Sequence, residues 1–472
     1  MRISSKVKFT AALVAVGLCA GQVPTAQAGN DGTQRVLAMV GSDTTTFVMD
    51  ALAEAYNVSS GNVDSDRVVN VPPLHSIAAL SQTAEASVTT RAWLANARRA
   101  WPGGVVVPAD ADCLTERVYG GEGSYDANGN GTVDVGDVRF TTASVDANNN
   151  STAGEAGVAG EVVQLGAVAP NGSGSGRSFA LDTVNNPLGC VDLVRSSSAP
   201  SAGSQQASFD AWGFALDAVG WTYFPGNSHG VTAITKEQFT KIYTCSAGDP
   251  TKPQITTWGE LSGNLADTTP IKPYRVQPGS GTADDIAKTM FGLTGYAQVG
   301  LNCNAGVADA TFPVVQEHDC TNVSDVDKAD AICFYGYSRW RLQARSLESD
   351  KRNGARFGRF SSGVNTPLLP SPTTIKETTG RYEASRIVYT LIPRGTASPT
   401  APSLPGFADA LTFVGVTPAA GADPAVAGFV CGGGKAQTII RTYGFVPFKL
   451  GNTDAVDATY GQSYCRHNKY SL

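Results

Sequence analysis

The sequence predicts an α/β protein built in layers with largely parallel sheets. Three observations carry that expectation. Apolar strand-like runs alternate with helical runs over most of the 472 residues. Hydrophobic residues make up 42% and charged residues 16%, enough for a sizeable core and too few charges for a disordered chain. The 52 glycines gather in runs with Ser, Thr, Asn and Asp, which places turns between the elements. At roughly 100–200 residues per domain, the length fits two large lobes or two to four domains. The net charge of −6, with no basic tract, argues against nucleic acid as a partner.

Arg2, Lys6 and Lys8 precede an apolar run, Phe9–Ala20, and Ala26-Gln27-Ala28 is a small-x-small cleavage signal. Residues 1–28 therefore read as a signal peptide, and the chain is expected to be secreted, extracellular or periplasmic. The run is too short to span a bilayer, which needs about 20 apolar residues. Cys19 lacks the small residue that precedes a lipid-modified cysteine, so no lipid anchor is expected. Eight cysteines remain: Cys113, Cys190, Cys245, Cys303, Cys320, Cys333, Cys431 and Cys465. An even number in a secreted chain favours disulfides. Proximity alone pairs Cys431 with Cys465 and Cys303 with Cys320. No CxxC pair occurs and His75, His229, His318 and His467 are dispersed, so no zinc site is expected.

Arg35–Val40 reads as a strand, Gly41–Thr46 as a small polar elbow, and Phe47, Met49, Leu52 and Tyr56 return at helical spacing. Residues 59–166 read as a loop-rich insertion with Trp93 and Trp101 in a helical patch. Gly172–Gly176 opens a second helix. Val191–Arg195 is a short strand that runs into Ser196-Ser197-Ser198. Phe214–Thr222 is a buried strand, and Thr235 caps a helix. Ile271–Val276 is a strand, and Gly279–Thr282 leads into a helix. Ala331–Tyr337 is a strand, Arg339–Leu347 a helix, and 363–379 a loop. Arg386–Ile392 and Gly444–Lys449 are later strands.

Four of these segments share one design: Gly41–Thr46, Gly172–Gly176, Arg195–Ser198 and Gly279–Thr282. Small hydroxyl and glycine residues lie where a strand ends and a helix or turn begins. Glycine lets a ligand approach the backbone, free N–H groups at a helix start face an anion, and hydroxyls add donors suited to a tetrahedral oxyanion.

Their order and content resemble the phosphate-binding proteins of ABC transporters, most closely the secreted actinobacterial members. The resembling stretches are Gly41–Thr45, Gly172–Gly176, Asp192–Ser197, Leu216–Trp221, Phe239–Tyr243 with Thr257-Trp258, Tyr274-Arg275 through Thr282, and Ala331–Tyr335. The resemblance implies a two-lobed periplasmic-binding-protein type II fold, with a doubly wound sheet in each lobe joined by a hinge. Lobe one would comprise 29–205, with the insertion, and 385–472; lobe two would comprise 206–384. It implies a monomeric receptor that closes on inorganic phosphate and hands it to an importer permease, with no bond broken. The implied ligand residues are Ser42, Asp43, Thr44 and Thr45; Ser175 or Ser173; Arg195, Ser196 and Ser197; and Arg275, Ser280, Gly281 and Thr282.

Two departures stand out. Where the family places a ligand arginine four residues before the Gly-Ser-Gly-Thr serine, this chain has Val276, and Arg275 sits one residue earlier. Where many members place the carboxylate that accepts the phosphate proton, this chain has Ser198. That carboxylate separates hydrogen phosphate from sulfate, so selectivity between oxyanions is open. Asp43 is expected to supply the acceptor and Arg195 the charge.

A second signal is independent. Asp126, Asn128, Asn130, Thr132, Asp134 and Asp137 fall at positions 1, 3, 5, 7, 9 and 12 of a calcium loop, with Gly131 at position 6. The segment resembles the EF-hand-like loops of dockerin modules, with Asp137 in place of the usual Glu. A structural Ca2+ in 126–137 is the expectation. Cys431–Lys435 lacks the spacing of a phosphate loop, and Glu317-His318-Asp319 reads as a solvated loop. No hydrolase elbow is present, and no enzyme is expected. The alternative is a surface adhesion or assembly protein that keeps the receptor fold without transport.

Overall fold

The computed structural model describes residues 37–59, 172–181, 191–225, 229–244, 255–277, 280–296, 299, 312–394, 407–417, 426–449 and 463–472, with short strands at 68–70, 118–119, 124–125 and 138–139. The signal peptide, Trp93, Trp101, the calcium-loop residues 126–137, and Cys113, Cys190, Cys245 and Cys303 lie outside the described residues. Strands Ser124–Tyr125 and Val138–Arg139, which flank the calcium loop, pair antiparallel with each other.

Ten strands make one mixed sheet. In chain order they are β1 (Leu37–Gly41), β2 (Val68–Asn70), β3 (Leu193–Ser196), β4 (Phe209–Tyr223), β5 (Lys272–Pro273), β6 (Ala331–Gly336), β7 (Arg356–Phe357), β8 (Ser385–Pro393), β9 (Val446–Pro447) and β10 (Arg466–His467). They lie in the order β2-β1-β3-β8-β4-β6-β5, and β7, β9 and β10 also pair with β4. Pairing is parallel toward the edges, in β2/β1, β1/β3 and β6/β5. It is antiparallel in the middle, where β8 meets β3 and β4, and β4 meets β6. The α/β class is observed, and the parallel part of the sheet is confined to its flanks.

The long strand β4 explains the middle. All but one of its 15 residues are buried. It binds β10 and β9 through residues 212–216, and β6 and β7 through 219–223. β8 runs beside it from Ser385 to Pro393, with one bulge between Val388 and Tyr389. The chain thus passes between two halves of the molecule along β4 and β8 only, among the described residues. The first half carries helices α1 (Thr46–Ser59), α2 (Ser173–Leu181), α6 (Phe407–Val414) and α7 (Lys435–Thr442). The second half carries α3 (Lys236–Tyr243), α4 (Gly281–Thr289) and α5 (Tyr337–Ala344). The strand expected at 271–276 breaks: Lys272–Pro273 stays in the large sheet, and Arg275–Val276 pairs with Val314–Val315. The helix expected at 339–347 starts two residues earlier and stops at Ala344.

One apolar cluster lies within the first half, and a second runs from the second half to Val40, Val191 and Val194 of the first. In the first half Val48, Met49, Leu52 and Tyr56 form one face of α1 and pack with Phe413, Val430, Ile440 and Phe445. In the second half Trp221, Tyr243, Phe291 and Phe334 pack around Phe239. A capping box between Thr235 and Gln238 starts α3. Cys431 pairs with Cys465, as proximity suggested. Cys320 pairs with Cys333, which overturns the expected Cys303–Cys320 link. The segment before Cys320 folds back on β6, so the two cysteines share an apolar cluster with Tyr335 and Phe224. No described helix is long and apolar enough to cross a membrane.

Candidate functional site

The four elbows meet where the two halves face each other. β1 ends at Gly41 with φ 115, and a Cβ there would lie 2.5 Å from the Arg195 carbonyl, so only glycine fits. The Ser42 N–H donates to that carbonyl at 3.0 Å. The turn buries Ser42, Asp43, Thr44 and Thr45 before α1 begins. From α2, Ser173 Oγ lies 3.1 Å from Ser197 Oγ and accepts the Ser197 N–H at 2.9 Å. In the second half Ser280 caps α4 by accepting the Ala283 N–H at 3.1 Å. A Cβ on Gly281 would fall 2.4 Å from Ser173 Oγ and 2.8 Å from Ser197 Oγ. Thr44 Oγ1 of the first half lies 3.0 Å from Thr282 Oγ1 of the second. Thr44, Ser173, Ser197, Gly281 and Thr282 are therefore brought together. Ser175 is half-buried two positions further along α2, past Gly174, and Ser173 is the serine in contact.

The expected charges are placed differently. Arg195 is fully buried, and its guanidinium donates to the carbonyls of Ser42 at 3.2 Å, Gly41 at 3.1 Å and Met39 at 3.4 Å. It braces the first elbow from behind. Burial pulls its pKa down to about 9, while Asp43 and Asp50 oppose the fall. Arg275 donates to the Phe312 carbonyl at 3.3 Å and lies over the Tyr296 ring. Asp43 Oδ1 accepts from Arg339 of α5 at 2.9 Å, and the same nitrogen reaches the Asp43 carbonyl at 2.7 Å. Arg339 also pairs with Glu348. Ser196 Oγ accepts from Arg177 at 2.7 Å, and Ser198, which stands in the carboxylate's place, accepts from the same arginine at 3.3 Å.

Three side chains that the elbow pattern missed complete the site. Arg386 of β8 donates to Thr282 Oγ1 at 3.0 Å and to Thr44 Oγ1 at 3.4 Å. It is held by Asp217 of β4 at 2.9 Å and Asp285 of α4 at 3.0 Å. Glu317 and His318, read from sequence as a solvated loop, are 2% and 1% exposed, which corrects that expectation. The Cys320–Cys333 bond ends the loop and draws it inward. Glu317 Oε2 accepts the Ser280 hydroxyl, while its Oε1 is buried without a hydrogen bond. Burial, and then the charge of Asp43, push the Glu317 pKa up. Arg386 stands alone on its strand in sequence, and nothing in its spacing marks it. Glu317-His318 carried a usable signal: two ionisable residues two positions before a cysteine.

The tautomer of His318 follows from its neighbours. The Gly336 N–H donates to Nδ1 at 3.0 Å, so Nδ1 carries no proton and Nε2 does. Nε2–H then donates to Thr44 Oγ1 at 2.9 Å. This has two consequences. The nitrogen facing Thr44 cannot take its proton, so the pair is not a nucleophile and its base. Asp43, Glu317 and His318 offer ligand atoms within 4.8 Å of one another, but a protonated Nε2 has no lone pair for a metal. The arrangement is a set of directed donors, with one free carboxylate oxygen, around a point between two lobes.

No protein-family profile matches the chain, and no curated protein does. Solved structures with similar shape include a protein from Clostridium perfringens, described as a phosphate ABC transporter substrate-binding protein with bound phosphate. It is 14% identical, with 88% of this chain and 100% of that one covered, at a TM-score of 0.42. An ABC-type phosphate transport receptor from Vibrio cholerae is 15% identical, with 87% and 99% covered and a TM-score of 0.40. PstS from Borrelia burgdorferi is 12% identical, with 88% and 100% covered and a TM-score of 0.36. At these distances the functional assignment has to rest on the residues of the site.

Proposed function

We propose that the chain is a secreted solute-binding receptor that captures inorganic phosphate between two closing lobes and delivers it to an ABC-type permease. The observation that supports this most is the convergence on Thr44 and Thr282. One hydroxyl comes from each half, the two are 3.0 Å apart, and both accept from the Arg386 guanidinium. Buried hydroxyls, a guanidinium and an imidazole N–H suit a tetrahedral oxyanion that has shed its water. The nearby Glu317 Oε1 provides the proton acceptor that Ser198 does not. Closure follows because neither half holds all the donors. The calcium loop at 126–137 is a separate proposal: a structural ion there would raise the melting temperature when Ca2+ is added after chelation.

Isothermal titration of the ligand-stripped protein with phosphate and then sulfate tests the receptor assignment. Tight binding of phosphate and rejection of sulfate is the expected result. Binding of neither anion would refute it.

A further inference from the structure

We propose that Arg386, a residue of the crossing strand, is the charged ligand of the anion and ties its presence directly to the hinge; this rests on the receptor assignment above. The other arginines near the elbows are engaged elsewhere. Arg195 donates to three backbone carbonyls. Arg177 bonds to Ser196 and Ser198 inside the first half. Arg275 is turned onto Phe312 and Tyr296, and Arg339 is paired with Asp43 and Glu348. Arg386 donates to one hydroxyl from each half, through NH1 to Thr282 and NH2 to Thr44. An anion that accepts from both hydroxyls lies within reach of both nitrogens.

The position of Arg386 along the strand gives it a second role. It faces Asp217 across the β8/β4 ladder. On β4 the residues up to 216 serve strands of the first half, and those from 219 serve strands of the second. The ion pair thus sits at the crossover, where any change of angle between the halves is concentrated. Asp217 is fully buried, takes Nε at 3.2 Å and NH2 at 2.9 Å, and accepts the Ser338 N–H at the start of α5 at 2.9 Å. That buried carboxylate fixes the plane of the fork. Asp285 reaches NH1 from α4, so a third element is tied to the same guanidinium. A cation carried on a lobe loop would bind the anion and leave closure to follow; a cation on the crossing strand makes binding and closure one event.

The test compares phosphate titration of the wild-type chain with Arg386→Gln, Arg386→Lys and Arg275→Gln, each checked for folding by its thermal transition. Arg386→Gln is expected to weaken phosphate at least ~100-fold, Arg386→Lys about tenfold because charge stays and the fork is lost, and Arg275→Gln less than about threefold. X-ray scattering adds a readout that a merely structural role would not move. Phosphate should compact the wild type, and saturating phosphate should not compact Arg386→Gln. A wild type that binds phosphate together with an equally tight Arg386→Gln overturns this proposal alone, as does a loss carried by Arg275→Gln. A wild type that binds no oxyanion overturns the receptor assignment and this proposal with it. If Arg386→Gln does not fold, the lysine variant decides: unchanged affinity there refutes the bidentate contact.

Discussion

Two arginines near the junction of the halves, Arg195 and Arg386, look alike in composition and do opposite work. Arg195 lies inside a glycine-hydroxyl elbow, where an anion ligand would be sought. Its N–H groups go to the carbonyls of Met39, Gly41 and Ser42, at the end of β1 and the start of the turn. Arg386 lies in a plain strand, Ser385–Pro393, and its N–H groups go to the hydroxyls of both halves. The difference lies in what surrounds each guanidinium. Where the backbone exposes buried carbonyls, they claim the cation, because an unpaired buried acceptor is expensive. On β8, which pairs with β4 from Ser385 to Pro393 and with β3 at Tyr389–Leu391, the Arg386 guanidinium goes to side chains instead.

That contrast predicts separable effects. Arg195→Met should cost on the order of 3–5 kcal/mol of stability, since it leaves buried carbonyls unpaired and only partly recovers the cost of burying a charge. Urea unfolding measures this. Phosphate affinity of the folded variant should fall less than in Arg386→Gln. A stability loss below about 1 kcal/mol would show that Arg195 does not brace the elbow.

Gly336→Ala sharpens the comparison from the side of Arg386. Gly336 has φ −74, so alanine brings no backbone strain, yet its Cβ would lie 2.7 Å from His318 Cε1 and 3.2 Å from Arg386 NH2. Overpacking of this kind costs about 1–3 kcal/mol. The melting temperature should fall, and phosphate should weaken because His318 and Arg386 are both pushed from Thr44. If affinity is untouched while stability falls, His318 and Arg386 do not position the anion.

Much of this was legible in the sequence, and the failures have physical causes. The elbows were legible because each needs glycine and small hydroxyls at fixed places: Gly41 for its positive φ and Gly281 for its contact with Ser173 and Ser197. The buried strand β4 is legible from its apolar run, but residues 209–213, where Asp210 interrupts that run, extend it beyond the expected Phe214–Thr222. Where guanidinium groups point was not legible, because it depends on acceptors supplied by distant segments: Arg339 reaches Asp43 across 296 positions of sequence and Arg386 reaches Thr44 across 342. Glu317 and His318 were missed for a related reason. Their charge suggested solvent, and the disulfide that buries them joins Cys320 to a partner other than the one proximity favoured.

Glu317→Gln tests whether the free carboxylate oxygen sets selectivity. The substitution is isosteric, keeps an acceptor for the Ser280 hydroxyl and removes a charge that burial disfavours, so the fold should hold. The carboxamide offers an N–H where the carboxylate offered a lone pair. Sulfate should gain on phosphate by about tenfold in titration, close to 1.4 kcal/mol. An unchanged ratio would move the proton acceptor to Asp43, whose Oδ1 is already paired with Arg339.

A pH dependence is expected at Asp285, which shares Arg386 NH1 with Thr282. Burial pushes its carboxyl up to about 6 from the usual 3.8, while the Arg386 charge pulls the other way. A raised carboxyl pKa means that the folded state holds the proton more tightly than the unfolded one. Its favourable contribution is complete below about pH 4 and is lost as pH rises through about 6. Asn cannot titrate. The stability of Asp285→Asn relative to wild type should therefore climb by about 2 kcal/mol between pH 4 and 7 and then level off. Urea unfolding at intervals across that range supplies the measurement. Parallel curves would mean that Arg386 compensates the burial of Asp285 in full. The guanidinium would then be spent on its own carboxylates, with less of its charge left to attract an anion.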